Sequence, residues 1–312
     1  MPSYDKTSLG AQAAELGFTR DAWEKVLRLV DILGFINADP LLLETLALKG
    51  GTAINLTVFD LPRLSVDIDL DYTRNNLLPE MMADRRQINQ LLARYLAGAG
   101  YHSGDKSRAH HSLDSMVWTY TNSAGVRDNI KVEINYSMRA HVLPTEKRPI
   151  LLPDQGMVTT LAPLEIYASK IVALLTRAAA RDLYDIDHMI QARLFSAPAE
   201  QNLLRRCVVF YLAVGTGETP DPTDRSRLQA LTPRRIRTEL QPVLRKRDWF
   251  DLSAALKNVT DYLDSLLQLD VAEEQFLDAF RNRQWKPELL FDGDQLDHIA
   301  RHPMAIWKLG LN

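Results

Sequence analysis

The sequence predicts an α+β protein, with a mixed sheet flanked by helices followed by a mainly helical C-terminal region. Three observations carry this. Leu64 to Tyr72, LSVDIDLDY, alternates apolar and acidic residues at the period of a strand. Leu113–Thr121 and Asn129–Tyr136 alternate on either side of a turn at Asn122–Gly125, as the arms of a hairpin do. From Pro163 to about Ala279 the apolar spacing becomes helical. The change of pattern predicts an α/β domain over residues 1–160 and a helical domain over 161–312.

The elements follow in order. Thr19 stands at an N-cap position before a helix whose Trp23, Val26, Leu27, Val30 and Leu33 share one face. Asp39-Pro40 opens a short helix with proline at its first position. Leu46–Lys49 is a short strand ending at Gly50-Gly51, and Thr52–Phe59 a short helix. Ser65–Tyr72 is a strand with Val66, Ile68 and Leu70 on one face and Asp67, Asp69 and Asp71 on the other. Pro79–Ala99 is helical, with Ile88, Leu91, Leu92 and Tyr95 inward and Gly98 and Gly100 near its end. In the returning hairpin arm Ile130, Val132 and Ile134 face one way, and Lys131, Glu133 and Asn135 the other. The loop Gly215–Thr223, GTGETPDPT, is the best boundary inside the helical half.

Composition narrows the class. At 312 residues the chain can bury a large core, and 46% apolar with 25% charged residues is ordinary for a soluble globular protein. One cysteine, Cys207, excludes an intrachain disulfide and suits a reducing compartment, with the thiol in the core. No apolar run is long enough to span a bilayer, and the start MPSYDKTSLG has no signal-like core, so no membrane association and a cytoplasmic location are expected. The net charge of −3 means that any nucleic-acid contact must come from a local patch.

The acidic strand poses the chemical question. Aspartates at i and i+2 project from one face about 7 Å apart along the strand and repel unless a cation sits between them. Hard oxygen ligands favour Mg²⁺ or Mn²⁺, and Mg²⁺ takes one or two protein carboxylates together with phosphate oxygens. Asp67 and Asp69 are therefore candidate metal ligands, with Asp71 expected at the rim. Glu133 has the facing for a third carboxylate, or for a simple pair with Lys131. Glycines let backbone approach a ligand, and a helix start after them offers N–H groups to phosphate. Gly50, Gly51 and Thr52, with the acidic strand after them, describe a nucleoside-triphosphate pocket. Ser65, two residues before Asp67, is expected to bind phosphate or to be a site where modification would block the pocket.

LKGGTAINL followed by RLSVDIDLDY resembles the nucleotidyltransferase signature hG[G/S]…DxD, and more closely the AbiEii/AbiGii toxin family, including the MenT-like toxins. The resemblance spans about residues 45–190 and continues in Lys170, within LEIYASKIVALL, and in Arg181-Asp182-Leu183-Tyr184-Asp185. It implies a nucleotidyltransferase fold and a metal-dependent toxin that moves a nucleotide from an NTP to RNA, often the acceptor end of tRNA. It also implies a cognate antitoxin, and makes Lys170 and Asp185 catalytic. Lys170 is then a charge for the triphosphate, Asp185 orients Lys170 or the nucleotide, and Arg181 contacts phosphate or a carboxylate. On one straight helix Lys170 and Asp185 would stand about 22 Å apart, so a helix break near Arg177–Asp182 is expected, with Asp182 capping the next helix or pairing with Arg181.

Two further features bear on partners. Between Arg225 and Arg247 stand eight basic residues against the single acid Glu239, either a solvated face or a surface for an RNA backbone. His102, His110 and His111 lack companions at zinc-ligand spacing and read as loop surface or RNA contacts. Two rivals use the same pocket: a kinase-like or protein-nucleotidylating enzyme, and a nucleotide-binding regulator without turnover.

Overall fold

The structure is a computed structural model that describes residues 4–215, 217 and 219–311. Thr216 and Glu218 of the expected boundary loop, and the first three residues of the N-terminal stretch, lie outside the described residues. The chain divides into two compact units. The first holds the chain up to Arg139, Thr145–Leu161 and Val243–Asp248; the second holds Ala140–Pro144, Ala162–Pro242 and the chain from Trp249 onward.

The first unit is built on an eight-stranded mixed sheet. Its helices are α1 (Lys6–Leu16), α2 (Arg20–Ala38), α3 (Pro40–Thr45), α4 (Gly50–Ala53) and α5 (Leu78–Gly98). Its strands are β1 (Leu46–Lys49), β2 (Asp67–Tyr72), β3 (His102–Ser103), β4 (Arg108–Ala109), β5 (Leu113–Thr121), β6 (Arg127–Asn135), β7 (Glu146–Pro149) and β8 (Met157–Thr160). The order is β3-β5-β6-β2-β1-β8-β7, with β4 also paired to β5. β2 runs antiparallel to β1 and parallel to β6, which makes it central and gives it partners on both sides.

Alternation decides the faces. Leu48, Leu70 and Ile134 stand in one row, and Ile68 and Val132 in the next; all are buried. α2 and α5 cover this side. Arg85 of α5 forms a buried ion pair with Asp114 of β5 at 2.6 Å, and the Tyr95 ring of α5 stacks on Phe35 of α2 at 4.0 Å. The opposite face carries Asp67, Asp69 and Asp71 of β2 beside Lys131, Glu133 and Asn135 of β6.

In the second unit α6 (Pro163–Arg177) and α7 (Ala180–Gln191) are followed by α8 (Pro198–Val214). α9 (Pro233–Arg235), α10 (Leu252–Leu266), α11 (Val271–Arg281), α12 (Gly293–Ile299) and α13 (Pro303–Leu309) complete it. The Glu165 carboxylate of α6 accepts from the backbone N–H groups of Val142 and Leu143 and from the Tyr211 hydroxyl of α8, fastening two segments to α6.

Several expected elements are adjusted. Asp39 caps α3 through the N–H groups of Leu41 and Leu42, as Asp-Pro predicts, whereas Thr19 makes no side-chain cap bond. The helix expected from Thr52 begins at Gly50 and passes into wider i+5 turns over Ile54–Val58. The acidic strand begins at Asp67 rather than Ser65. The four-residue strands β7 and β8 carry no alternation long enough to read; β8 is placed by pairing with β1. Helix continues past Ala279 to Leu309, while Ser226–Val243 is a chain of short helical turns.

Candidate active site

In the first unit the glycine pair and the acidic strand form one constellation. Lys49, Asp69 and Glu133 stand in register across β1, β2 and β6. Gly50 has φ +68°, and Asp69 Oδ2 lies 2.8 Å from where a Cβ on Gly50 would be. Beside Gly51, Arg63 Nη2 and Ser65 Oγ lie 2.6 and 3.0 Å from the corresponding point. The bare α-carbons thus admit the chain's own site residues, a closer use than the expected approach to phosphate. The Thr52 hydroxyl donates to the Asp67 carbonyl oxygen and ties the start of α4 to the acidic strand. Lys49 occupies the cap position of α4 without a side-chain cap bond.

Gly50→Ala should therefore injure stability and chemistry together. A Cβ in left-handed backbone costs about 1–2 kcal/mol, and the new methyl would displace the Asp69 carboxylate. Melting and turnover measured on one preparation check this; a variant equal to wild type in both would refute the crowding.

Burial pushes the Asp69 carboxyl above the ordinary carboxylate range; the charges of Asp67 and Glu133 push the same way, while Lys49 and Lys131 oppose. Lys131 loses hydration, which favours its neutral form, yet its bond to Glu133 and the charges of Glu133, Asp67 and Asp69 raise its pKa overall. The Lys131–Glu133 pair spans 2.8 Å. Asp71, expected at the rim, is instead 3% exposed and paired with Lys49. The cation on the neighbouring strand is what permits that burial. Lys49 and Arg63 were not singled out by sequence; Lys49 was legible, since strand alternation from β1 puts it on the acidic side.

Among the described residues no group of three or more His, Cys, Asp or Glu side chains is arranged to hold a metal ion. The donors at this face are Asp67 and Asp69, with the Glu133 carboxylate engaged by Lys131. Two carboxylates completed by phosphate oxygens form an ordinary Mg²⁺ environment. The crowded negative charge around Asp69 fits such an ion.

In the second unit the expected helix break is present. α6 ends at Ala178, φ +49°, and α7 begins after Ala179. The fold-back sets Lys170 Nζ 2.6 Å from Asp185 Oδ2 and 3.0 Å from Asp182 Oδ1. Asp182 does not cap α7, whose cap position is Ala179, nor does it pair with Arg181; its carboxylate is bonded to Lys170 and to Arg177 at 3.0 Å. Arg181 donates from Nε to the Glu239 carbonyl oxygen at 2.9 Å.

The basic stretch divides. Arg225 pairs with Asp264, Arg235 pairs with Glu239, and Arg245 donates to the Asp60 and Leu61 carbonyl oxygens. Arg234, Arg237, Lys246 and Arg247 are exposed, as are His102, His110 and His111. Cys207 is buried.

Comparison with known proteins adds two findings. A family model described as the nucleotidyl transferase AbiEii toxin of a type IV TA system matches residues 34–243. Among solved structures the chain is similar to MenT4, a nucleotidyltransferase toxin from Mycobacterium tuberculosis H37Rv. The identity is 18% and the TM-score 0.66, over 90% of this chain and 98% of that one, a likeness of fold. No curated protein matches in sequence.

Proposed function

This chain belongs to the AbiEii nucleotidyltransferase toxin family of type IV toxin–antitoxin systems, and on that premise we propose that it transfers NMP from an NTP to the 3′ end of an RNA, a tRNA acceptor stem first among candidates, and so blocks translation. The observation that carries the reading is the crowded acidic face of β2 and β6 beside the glycine pair.

Asp67 and Asp69 would hold Mg²⁺ or Mn²⁺. When bound, the ion supplies charge neutralisation at the phosphates and activation of the attacking oxygen. Gly50, Gly51, Thr52 and Ser65 border the triphosphate. Lys170 gives its charge to a triphosphate oxygen, with Asp182 and Asp185 fixing the ammonium, and Arg181 contacts phosphate. The RNA 3′ oxygen bonds to the α-phosphorus as pyrophosphate leaves, and its proton passes to a site carboxylate, Glu133 among them. In this reading the exposed arginines of the helical domain hold RNA. A cognate antitoxin is the expected protein partner. No helix among the described residues is long and apolar enough to cross a membrane.

Incubation with each α-labelled NTP, Mg²⁺ and total RNA tests the proposal. Label on RNA is expected. Label on protein alone would move the acceptor to a protein hydroxyl, and no label on either would overturn transfer.

A further inference from the structure

Trp249 is 88% exposed, the most exposed large apolar side chain among the described residues. Its neighbour in the chain is anchored: the Phe250 ring packs on Tyr184 of α7 at 5.6 Å between centroids. Three residues earlier on the same helix, Arg181 holds the Glu239 carbonyl. Residues at i and i+3 lie on one helical face. Two segments of the second unit are thus fastened to one face of α7: Pro233–Leu240, with exposed Arg234 and Arg237, and the segment that presents Trp249. α7 is also the helix that carries Asp185.

An indole exposed to this degree gains nothing for the fold. The segment anchored beside it on α7 carries two cations that make no ion pair among the described residues, since Arg235 takes Glu239 while Arg234 and Arg237 stay exposed. Cationic side chains that follow a backbone, with an aromatic face on which a base can stack, are the components of single-stranded nucleic-acid binding. Stacking needs an unpaired base, and an RNA 3′ end that receives a nucleotide is such a strand.

We propose that Trp249 is a stacking platform for an unpaired base of the RNA acceptor, with Arg234 and Arg237 against the adjoining phosphates. The inference rests on the RNA reading above and names the residue that would recognise a single-stranded end. Trp249 is a positioning residue; it touches neither the reacting phosphate nor the 3′ oxygen.

The test compares the full chain with Trp249→Ala, Trp249→Phe and the double variant Arg234→Ala/Arg237→Ala. The probes are a single-stranded RNA decamer and a blunt RNA duplex of the same sequence. Trp249→Ala should weaken single-strand binding about tenfold or more, leave duplex binding unchanged, and keep the slope of log K against log salt. Trp249→Phe should recover most of the affinity. The arginine variant should weaken both probes and flatten the single-strand slope by about 0.7 for each phosphate no longer neutralised. In transfer assays Trp249→Ala should raise the KM for RNA and leave the KM for NTP unchanged. If wild type labels RNA and Trp249→Ala does so with unchanged KM and affinity, the platform is refuted while the function stands. An equal loss on both probes would also refute it, and a protein partner lost with RNA binding intact would assign the indole to a protein interface. If wild type labels no RNA at all, the underlying reading fails first.

Discussion

Asp69→Asn is expected to reduce nucleotide transfer by about 10²- to 10³-fold or more, the scale of a preorganised charge at a reacting centre, while the metal-free protein melts at a higher temperature. The two effects have one cause. Loss of hydration disfavours the charged Asp69 carboxylate, and Asp67 and Glu133 add negative charge around it. Its folded-state pKa therefore lies above its unfolded value. A raised carboxyl destabilises the fold when ionised: the penalty is absent below the unfolded pKa, grows as pH rises to the folded pKa, and is constant above it. Asn keeps the shape and removes the charge. The Asn variant should thus gain stability relative to wild type across that window and hold the gain at neutral pH. Mg²⁺ with NTP should raise the melting temperature of wild type and do so far less for the variant. Asp67→Asn should match it in lost transfer. The measurements are turnover with labelled NTP and melting curves over a pH series, with and without Mg²⁺. Turnover near wild type in either variant would remove the aspartates from the chemistry.

The sheet and its acidic face were legible because each β2 residue declares its side. Ile68 and Leu70 are buried, and Asp67, Asp69 and Asp71 alternate with them on the other face. The same period placed Glu133, since β6 runs beside β2 in matching register. What the sequence hid depends on partners distant in the chain. Asp71 is buried because Lys49 reaches it from β1, and no local pattern states that a strand neighbour will neutralise an acid. Arg63, 1% exposed against Gly51, is equally invisible, because its position follows from the loop before β2. The break between α6 and α7 was inferred from the distance separating Lys170 and Asp185, with Asp182 offered as its cap. The structure forms the break at Ala178 in left-handed backbone and leaves Asp182 to the lysine. The basic stretch shows the limit of counting charges. Its arginines differ in their partners, which the fold decides: Arg235 takes Glu239, while Arg234 and Arg237 are exposed.

Lys170→Ala is expected to lower stability by about 3–5 kcal/mol, the cost of removing one partner of a buried ion pair, and to abolish transfer as well. Lys170 lies between Asp182 and Asp185, whose side chains are 4% and 1% exposed. Arg177 still reaches Asp182 in the variant, but its own side chain is 68% exposed, so it compensates one carboxylate weakly. Asp185 would lose its 2.6 Å partner. Loss of activity, or of growth arrest, in Lys170→Ala therefore does not separate chemistry from folding. A second variant does. Lys170→Met with Asp185→Asn removes the pair from both sides, keeps the volume, and leaves Asp182 with Arg177. Exchange of both partners of a buried pair for uncharged groups is often close to neutral for stability. The double variant should recover most of the lost stability and remain unable to transfer, because the charge proposed for the triphosphate is gone. Denaturant unfolding and NTP affinity, measured beside turnover, decide the matter. A double variant that is stable and transfers at the wild-type rate would reduce Lys170 to a structural cation, and a Lys170→Ala protein as stable as wild type would show that the pair is not held as tightly as its distances imply.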